Sequence, residues 1–168
     1  LGADAKGIKP CTKLINQTIE KAASEGGGTI YFPAGTYLTA TIHMKSNITL
    51  HLESGAIVRF SDRFEDYLPF VTARWEGTVM QTLSPLIYAH SADNLTITGR
   101  GTLDGNGLKW WLWEFETRKV IKENGGKLPS LDKLQQMWVD ANKDLEISDY
   151  YKPSLERKMF RPPFIQFY

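Results

Sequence analysis

A chain of 168 residues, 42% hydrophobic and 23% charged, is long enough for one cored domain. Its formal net charge of +1 gives no basis for binding nucleic acid or a membrane surface. No run approaches the ~18 apolar residues of a membrane span. The one cysteine, Cys11, leaves no internal disulfide to form, and by itself it does not identify a redox compartment.

Residues 1 to 10 read as irregular chain, and Leu1-Gly2-Ala3-Asp4 lacks the basic start and apolar core of a signal peptide. A helix is expected over 12 to 25, with Thr12 as N-cap, Ile15, Ile19, Ala22 and Ala23 along one face, and Gly26-Gly27-Gly28 as its stop. Thr29 to Phe32 predicts a strand halted by Pro33-Ala34-Gly35-Thr36, and Tyr37 to Met44 predicts two short strands.

Asn47 to Ile57 then has an echo in Asn94 to Gly107. Each copy starts on asparagine, carries apolar residues at every second position and meets a glycine: Ile48, Leu50 and Leu52 in the first, Leu95, Ile97 and Leu103 in the second. Period-two alternation marks strands with one buried face. Short strands joined by tight turns, without helices between them, point to rungs of a parallel β-helix. With ~20 to 25 residues per turn, the copies are expected two turns apart. The helix over 12 to 25 would then cover the open first rung; an ordinary surface helix is the alternative.

Residues 61 to 82 break the rhythm: Ser61 to Pro69 reads as a loop leaving the coil and leads into Val71 to Gly77, with Arg74, Trp75 and Glu76 in a loop beside the coil. Leu86 to Ala89 resumes a strand. From 108 to 161 the solenoid pattern gives way to a partly helical insertion, with helices expected over Trp110 to Lys122 and Leu131 to Asn142, the second capped by Ser130. Phe164 to Tyr168 restarts a strand. A rung left open there needs the remainder of a β-helix to cover it, so the stretch is expected to be the N-terminal part of a longer domain.

Several segments together carry a family resemblance: Gly26 to Tyr37, Lys45 to Ala56, Arg74-Trp75-Glu76-Gly77, Ser84 to Ala89, Gly99 to Gly107 and Arg161 to Phe167. In this order they resemble the bacterial branch of glycoside hydrolase family 28, the polygalacturonases and rhamnogalacturonan hydrolases. The resemblance implies a right-handed parallel β-helix of the pectin lyase-like kind. It also implies an exported protein, secreted or periplasmic, that hydrolyses α-galacturonosidic linkages of pectic polysaccharide or oligogalacturonides with inversion. In that mechanism carboxyl groups ~6.5 to 9.5 Å apart protonate the leaving oxygen and activate a water. The family supplies its machinery from an Asn-x-Asp motif, an Asp-Asp pair, a Gly-His-Gly and an Arg-x-Lys, all expected beyond this stretch, so no catalytic residue is assigned. His43, His51 and His90 have the wrong neighbours for the family's histidine.

Candidate substrate contacts remain. Arg74 suits a uronate carboxylate, Trp75 a sugar face, and Glu76 completes the motif; a structural ion pair around a packed tryptophan is the alternative. Trp110 and Trp111 could line the same cleft or pack the insertion against the coil, and Arg161 before Pro162-Pro163 reads as fixing a turn. No metal or cofactor is expected, since Asp104-Gly105-Asn106-Gly107 falls short of a calcium loop. Two rivals stand beside the hydrolase: a non-catalytic carbohydrate-binding or adhesion solenoid, and a polysaccharide lyase of the same architecture.

Overall fold

The computed structural model describes residues 2–75, 77–126, 130, 132–145 and 161–168, with Trp75 described by its backbone. Helix α1 (Thr12–Ser24) comes first. The strands β1 (Gly28–Phe32), β2 (Gly35–Thr39) and β3 (Ile42–His43) then complete one turn of a coil. Strands β4 (Ile48–Leu52) and β5 (Ala56–Phe60) begin the next turn, and β8 (Ile87–Ala89) completes it. The third turn holds β9 (Thr96–Gly99), β10 (Thr102–Asp104) and β11 (Ile165–Phe167).

Stacked turns make three parallel sheets, β1-β4-β9, β2-β5-β10 and β3-β8-β11. Apolar residues repeat in register through each: Ile30, Leu50 and Ile97 in the first, and Ile42, Ile87 and Ile165 in the third. Ile42, Ile48, Leu50, Val58, Phe60 and Ile87 are all buried in one core cluster. This is a right-handed parallel β-helix: the strand pattern leads one to expect the parallel coil, and the family resemblance implies its hand.

The echo at 94 to 107 lies one turn from its predecessor, not two. Leu50 pairs directly with Ile97. Gly28 pairs with Ile48, so an uninterrupted turn takes 20 residues (28 to 48), whereas Thr49 pairs with Thr96 because an excursion after β5 lengthens the turn between them. That excursion is a 3-10 turn over Phe64–Tyr67 followed by an antiparallel hairpin, β6 (Val71–Trp75) with β7 (Thr78–Thr82). The next turn carries its own excursion at the same corner, after β10, with helices α2 (Leu108–Glu123) and α3 (Lys133–Ala141). Residues 127–129, Leu131 and residues 146–160 of the expected insertion lie outside the described residues.

Helix α1 presses Ile15 and Ile19 into the coil's core cluster. Thr12 is its first residue and does not cap it; Cys11 holds the cap position. The Thr12 hydroxyl is instead used across the corner between β2 and β3, accepting from the Ala40 N–H at 2.7 Å. Asn16 grips the same corner at both ends of its amide, donating to Thr41 O at 2.9 Å and accepting from His43 N at 2.8 Å. On α3 the cap is Asp132, with a reciprocal capping box to Gln135, in place of Ser130. At the turn starts, Asn47 and Asn94 both hold left-handed backbone, and Asn94 Nδ2 donates to Asn47 Oδ1 at 3.0 Å. The two asparagines thus stack as a ladder between turns.

One exposed pair joins neighbouring turns on the second sheet: Arg59 Nε donates to Asp104 Oδ2 at 2.9 Å. That bond, together with the Asn106 N–H, holds the Asp104 carboxyl below its usual range. A carboxyl depressed on folding contributes stability in full above its unfolded value of 3.8, and the contribution fades as pH falls below that. Both groups are partly exposed, so the pair is worth no more than about 1 kcal/mol. Asp104→Asn should therefore lower stability by up to about 1 kcal/mol at neutrality, with the gap to wild type closing as pH falls below ~4. Urea midpoints measured across that range check this.

Candidate functional site

The outer face of the third sheet carries a row of polar and aromatic groups. His43, Tyr88 and Gln166 form one register row across β3, β8 and β11, each following an inward isoleucine. Tyr88 donates to Thr72 O at 3.0 Å, and Gln166 Nε2 donates to Arg74 O at 2.9 Å. Thr72 and Arg74 are two apart on β6, so both carbonyls turn to the same side, and the hairpin is laid against this face. Burial pushes the Tyr88 phenol up, with Tyr168 adding to it, so it stays a neutral donor. Burial lowers the His43 imidazole, and Lys45 lowers it further.

Arg74 is exposed on β6, with its guanidinium carbon 6.0 Å over the Tyr168 ring. Among the described residues no carboxylate lies within ion-pair distance of it. Tyr168 also meets the His90 ring, 5.3 Å between centroids at 35°, and His90 Nδ1 sits 3.1 Å from Ser91 Oγ. An exposed, uncompensated guanidinium beside two exposed aromatic rings suits a ligand with a carboxylate and an apolar ring face.

The remaining sequence candidates separate. Glu76 lies outside the described residues, as does Trp75 beyond its backbone place opposite Thr78. Trp110 is only 4% exposed, packed 4.1 Å from the Phe64 ring and 5.8 Å from that of Tyr67. It has no face free for a sugar and is corrected to a packing residue that seats α2 on the first excursion. Trp111 is exposed, with Arg161 5.2 Å over its ring, so Arg161 meets an aromatic as well as leading into the Pro162-Pro163 turn.

Asn142-Lys143-Asp144 does spell an Asn-x-Asp, against the expectation that all such motifs lie further on. Its place rules it out as a rung motif. Asn142 is the C-cap of α3, buried, and bound at both ends of its amide to the β7 backbone: it accepts from Gln81 N and donates to Gln81 O, both at 2.8 Å. The side chain pairs with β7 as another strand would. With Trp138 packed on Met80, this contact braces the hairpin that carries Arg74. Asn142→Leu should cost about 2 to 4 kcal/mol, because it strands both Gln81 groups. Denaturant unfolding checks the size, and Asn142→Asp, which keeps the acceptor, should fall in between.

No metal-holding group of three or more acidic, histidine or cysteine side chains occurs among the described residues, and no helix in them is long and apolar enough to cross a membrane. A cleft of about 420 Å³ between the β2–β3 corner and Ser61–Asp66 includes none of the candidate residues of the third-sheet face, and its Asp66 is already held by Ser61.

Comparison with known proteins bears on the family and the fold. The family model described as rhamnogalacturonase A/epimerase, pectate lyase-like, matches residues 1–110. The chain belongs to that family. A Vitis vinifera protein described as a probable polygalacturonase is 32% identical over 99 residues, 55% of this chain and 20% of the relative. A hyperthermoactive exopolygalacturonase from Thermotoga maritima superposes with a TM-score of 0.72 at 34% identity, over 99% of this chain and 37% of that one. A family 28 exopolygalacturonase from Yersinia enterocolitica gives 0.54 at 33%, over 62% of this chain and 19% of that one. The chain thus spans about a fifth of the length of the curated relatives it matches. The family 28 resemblance read from Gly26 to Phe167 is supported by these likenesses.

Proposed function

We propose that this chain is the front part of a polygalacturonase-like glycoside hydrolase and that the outer face of β3-β8-β11 holds a galacturonate unit of its substrate. The observation that carries the reading is Arg74, an exposed guanidinium without a carboxylate partner among the described residues, set over Tyr168 on a hairpin fixed by Tyr88 and Gln166. The uronate carboxylate takes the guanidinium in bidentate fashion, and the pyranose ring lies by Tyr168 and His90. Hydrolysis with inversion is performed by carboxyl groups outside this stretch, further along the same sheet.

Exo action is the form favoured. Two similar solved proteins are named exopolygalacturonases, and the hairpin lies on the binding face, where it would block a long polymer from passing through. With pectic polysaccharide as substrate, the protein would be secreted or periplasmic. The native full-length protein, incubated with polygalacturonate, should release one short product from chain ends while viscosity falls slowly. A ladder of intermediate lengths would overturn exo action, unsaturated products would favour a lyase, and binding without products would favour a carbohydrate-binding solenoid.

A further inference from the structure

The cleft between the β2–β3 corner and Ser61–Asp66, at about 420 Å³, has the ~300 to 1,000 Å³ size of small-molecule sites. Successive turns of the coil line it: Leu38 to Ala40 in the first, Ser61 in the second and Asn106 in the third. These pieces are fastened to one another. Ser61 N donates to Thr39 O at 2.7 Å, and Asn106 Nδ2 donates to Phe60 O at 3.2 Å. Tyr67 OH donates to Ser61 O and Ser61 Oγ donates to Asp66 Oδ2, both at 2.6 Å, which ties down the loop that carries Asp62 and Arg63. The cleft is thus formed before anything enters it.

We propose that this cleft binds a neutral, hydroxyl-rich sugar. Its open groups make the selection. Among the described residues the Asp62 carboxylate has no ion-pair partner, and the Asn106 amide uses only its nitrogen, leaving Oδ1 open. Arg63 reaches Asp66 Oδ1 only through Nε, at 3.8 Å, so its other donors are free. A carboxylate and an amide oxygen accept from hydroxyls while a guanidinium donates to their oxygens, so neighbouring hydroxyls on one ring satisfy both kinds of group. Leu38 and Pro10 add an apolar surface for the ring's C–H groups. Charge sets aside the other ligands. Two carboxylates, Asp62 and Asp66, outnumber one guanidinium, so the lining repels a uronate or a phosphate, and an amine would meet Arg63. Nothing in this cleft depends on what Arg74 holds.

Calorimetric titration of the native full-length protein tests this, with methyl galactoside as the neutral probe and methyl galacturonoside as its charged counterpart. The galactoside should bind at about 1 mM, which is what the usual binding energy per atom gives a single sugar ring. Arg74→Ala should leave that affinity unchanged, and in its background, with the third-sheet contact removed, the uronoside should bind at least about tenfold more weakly than the galactoside. Asp62→Asn should weaken the galactoside about tenfold and narrow its lead over the uronoside, which a merely structural role for Asp62 would not do. Arg63→Gln should also weaken the galactoside about tenfold, and it decides the matter where Asp62→Asn fails to fold. No galactoside binding up to about 50 mM overturns the assignment. So does a preference for the uronoside in the Arg74→Ala background, a galactoside affinity lost with Arg74→Ala, or one indifferent to both Asp62→Asn and Arg63→Gln.

Discussion

Arg74→Ala in the native protein should weaken oligogalacturonide binding by about 10- to 150-fold, the worth of hydrogen bonds to a charged group. The argument rests on placement. Arg74 has no counter-charge to satisfy among the described residues, and its backbone carbonyl is tied to Gln166, so the strand beneath it does not drift. Removing the guanidinium therefore removes a ligand contact and little else, and the melting temperature should stay within a degree or two of wild type. Arg74→Lys should recover only part of the loss, because an ammonium cannot present two parallel donors to a carboxylate. Neutral sugars should bind both variants as they bind wild type. Calorimetric titration with charged and reduced oligosaccharides separates these outcomes, and equal loss for both ligand types would point to a misplaced hairpin.

Gly99→Ala should be among the most damaging single substitutions in the coil, at about 3 to 5 kcal/mol. Gly99 holds φ +109°, which disfavours any side chain, and a Cβ there would collide with Leu52 O. Leu52 O is also the acceptor for Arg100 N at 2.9 Å and Gly101 N at 3.1 Å, so moving it disrupts the corner of two turns at once. Gly26 supplies the control. It has nearly the same backbone, φ +100°, yet nothing lies within 4 Å of its Cβ position. Gly26→Ala should cost only the backbone preference, about 1 to 2 kcal/mol. Equal melting losses for the two variants would mean that close packing between turns plays no part at Gly99.

The coil was legible because burial imposes period two on every rung. Ile48, Leu50 and Leu52 alternate with Thr49 and His51, and nothing local competes with that signal. Counting the turns failed for a physical reason: an excursion lengthens the sequence between two rungs without separating them in space, so Leu50 meets Ile97 directly. The hairpin at β6 and β7 was read as loop because its support is remote, from Tyr88, Asn142 and Gln166. Thr12 looked like a cap because capping is local, but its hydroxyl bonds to Ala40, 28 residues on.

The proposed site is half legible in the sequence. A family motif singles out Arg74, but nothing local points to His90 and Tyr168, since their contact depends on the pairing of Ala89 with Phe167 across the whole second excursion. One signal was available: Ile42-His43, Ile87-Tyr88 and Ile165-Gln166 repeat an inward isoleucine followed by an outward polar residue. Trp110 and Trp111 show the limit of composition, because neighbouring tryptophans on one helix point about 100° apart. One is core and the other surface.

The most direct measurement is a crystal structure of the native protein with a short oligogalacturonide bound. The account predicts a uronate carboxylate on the Arg74 guanidinium, its sugar ring beside Tyr168 and His90, and the hairpin unmoved. A substrate seated on another sheet, with Arg74 left bare, would contradict it.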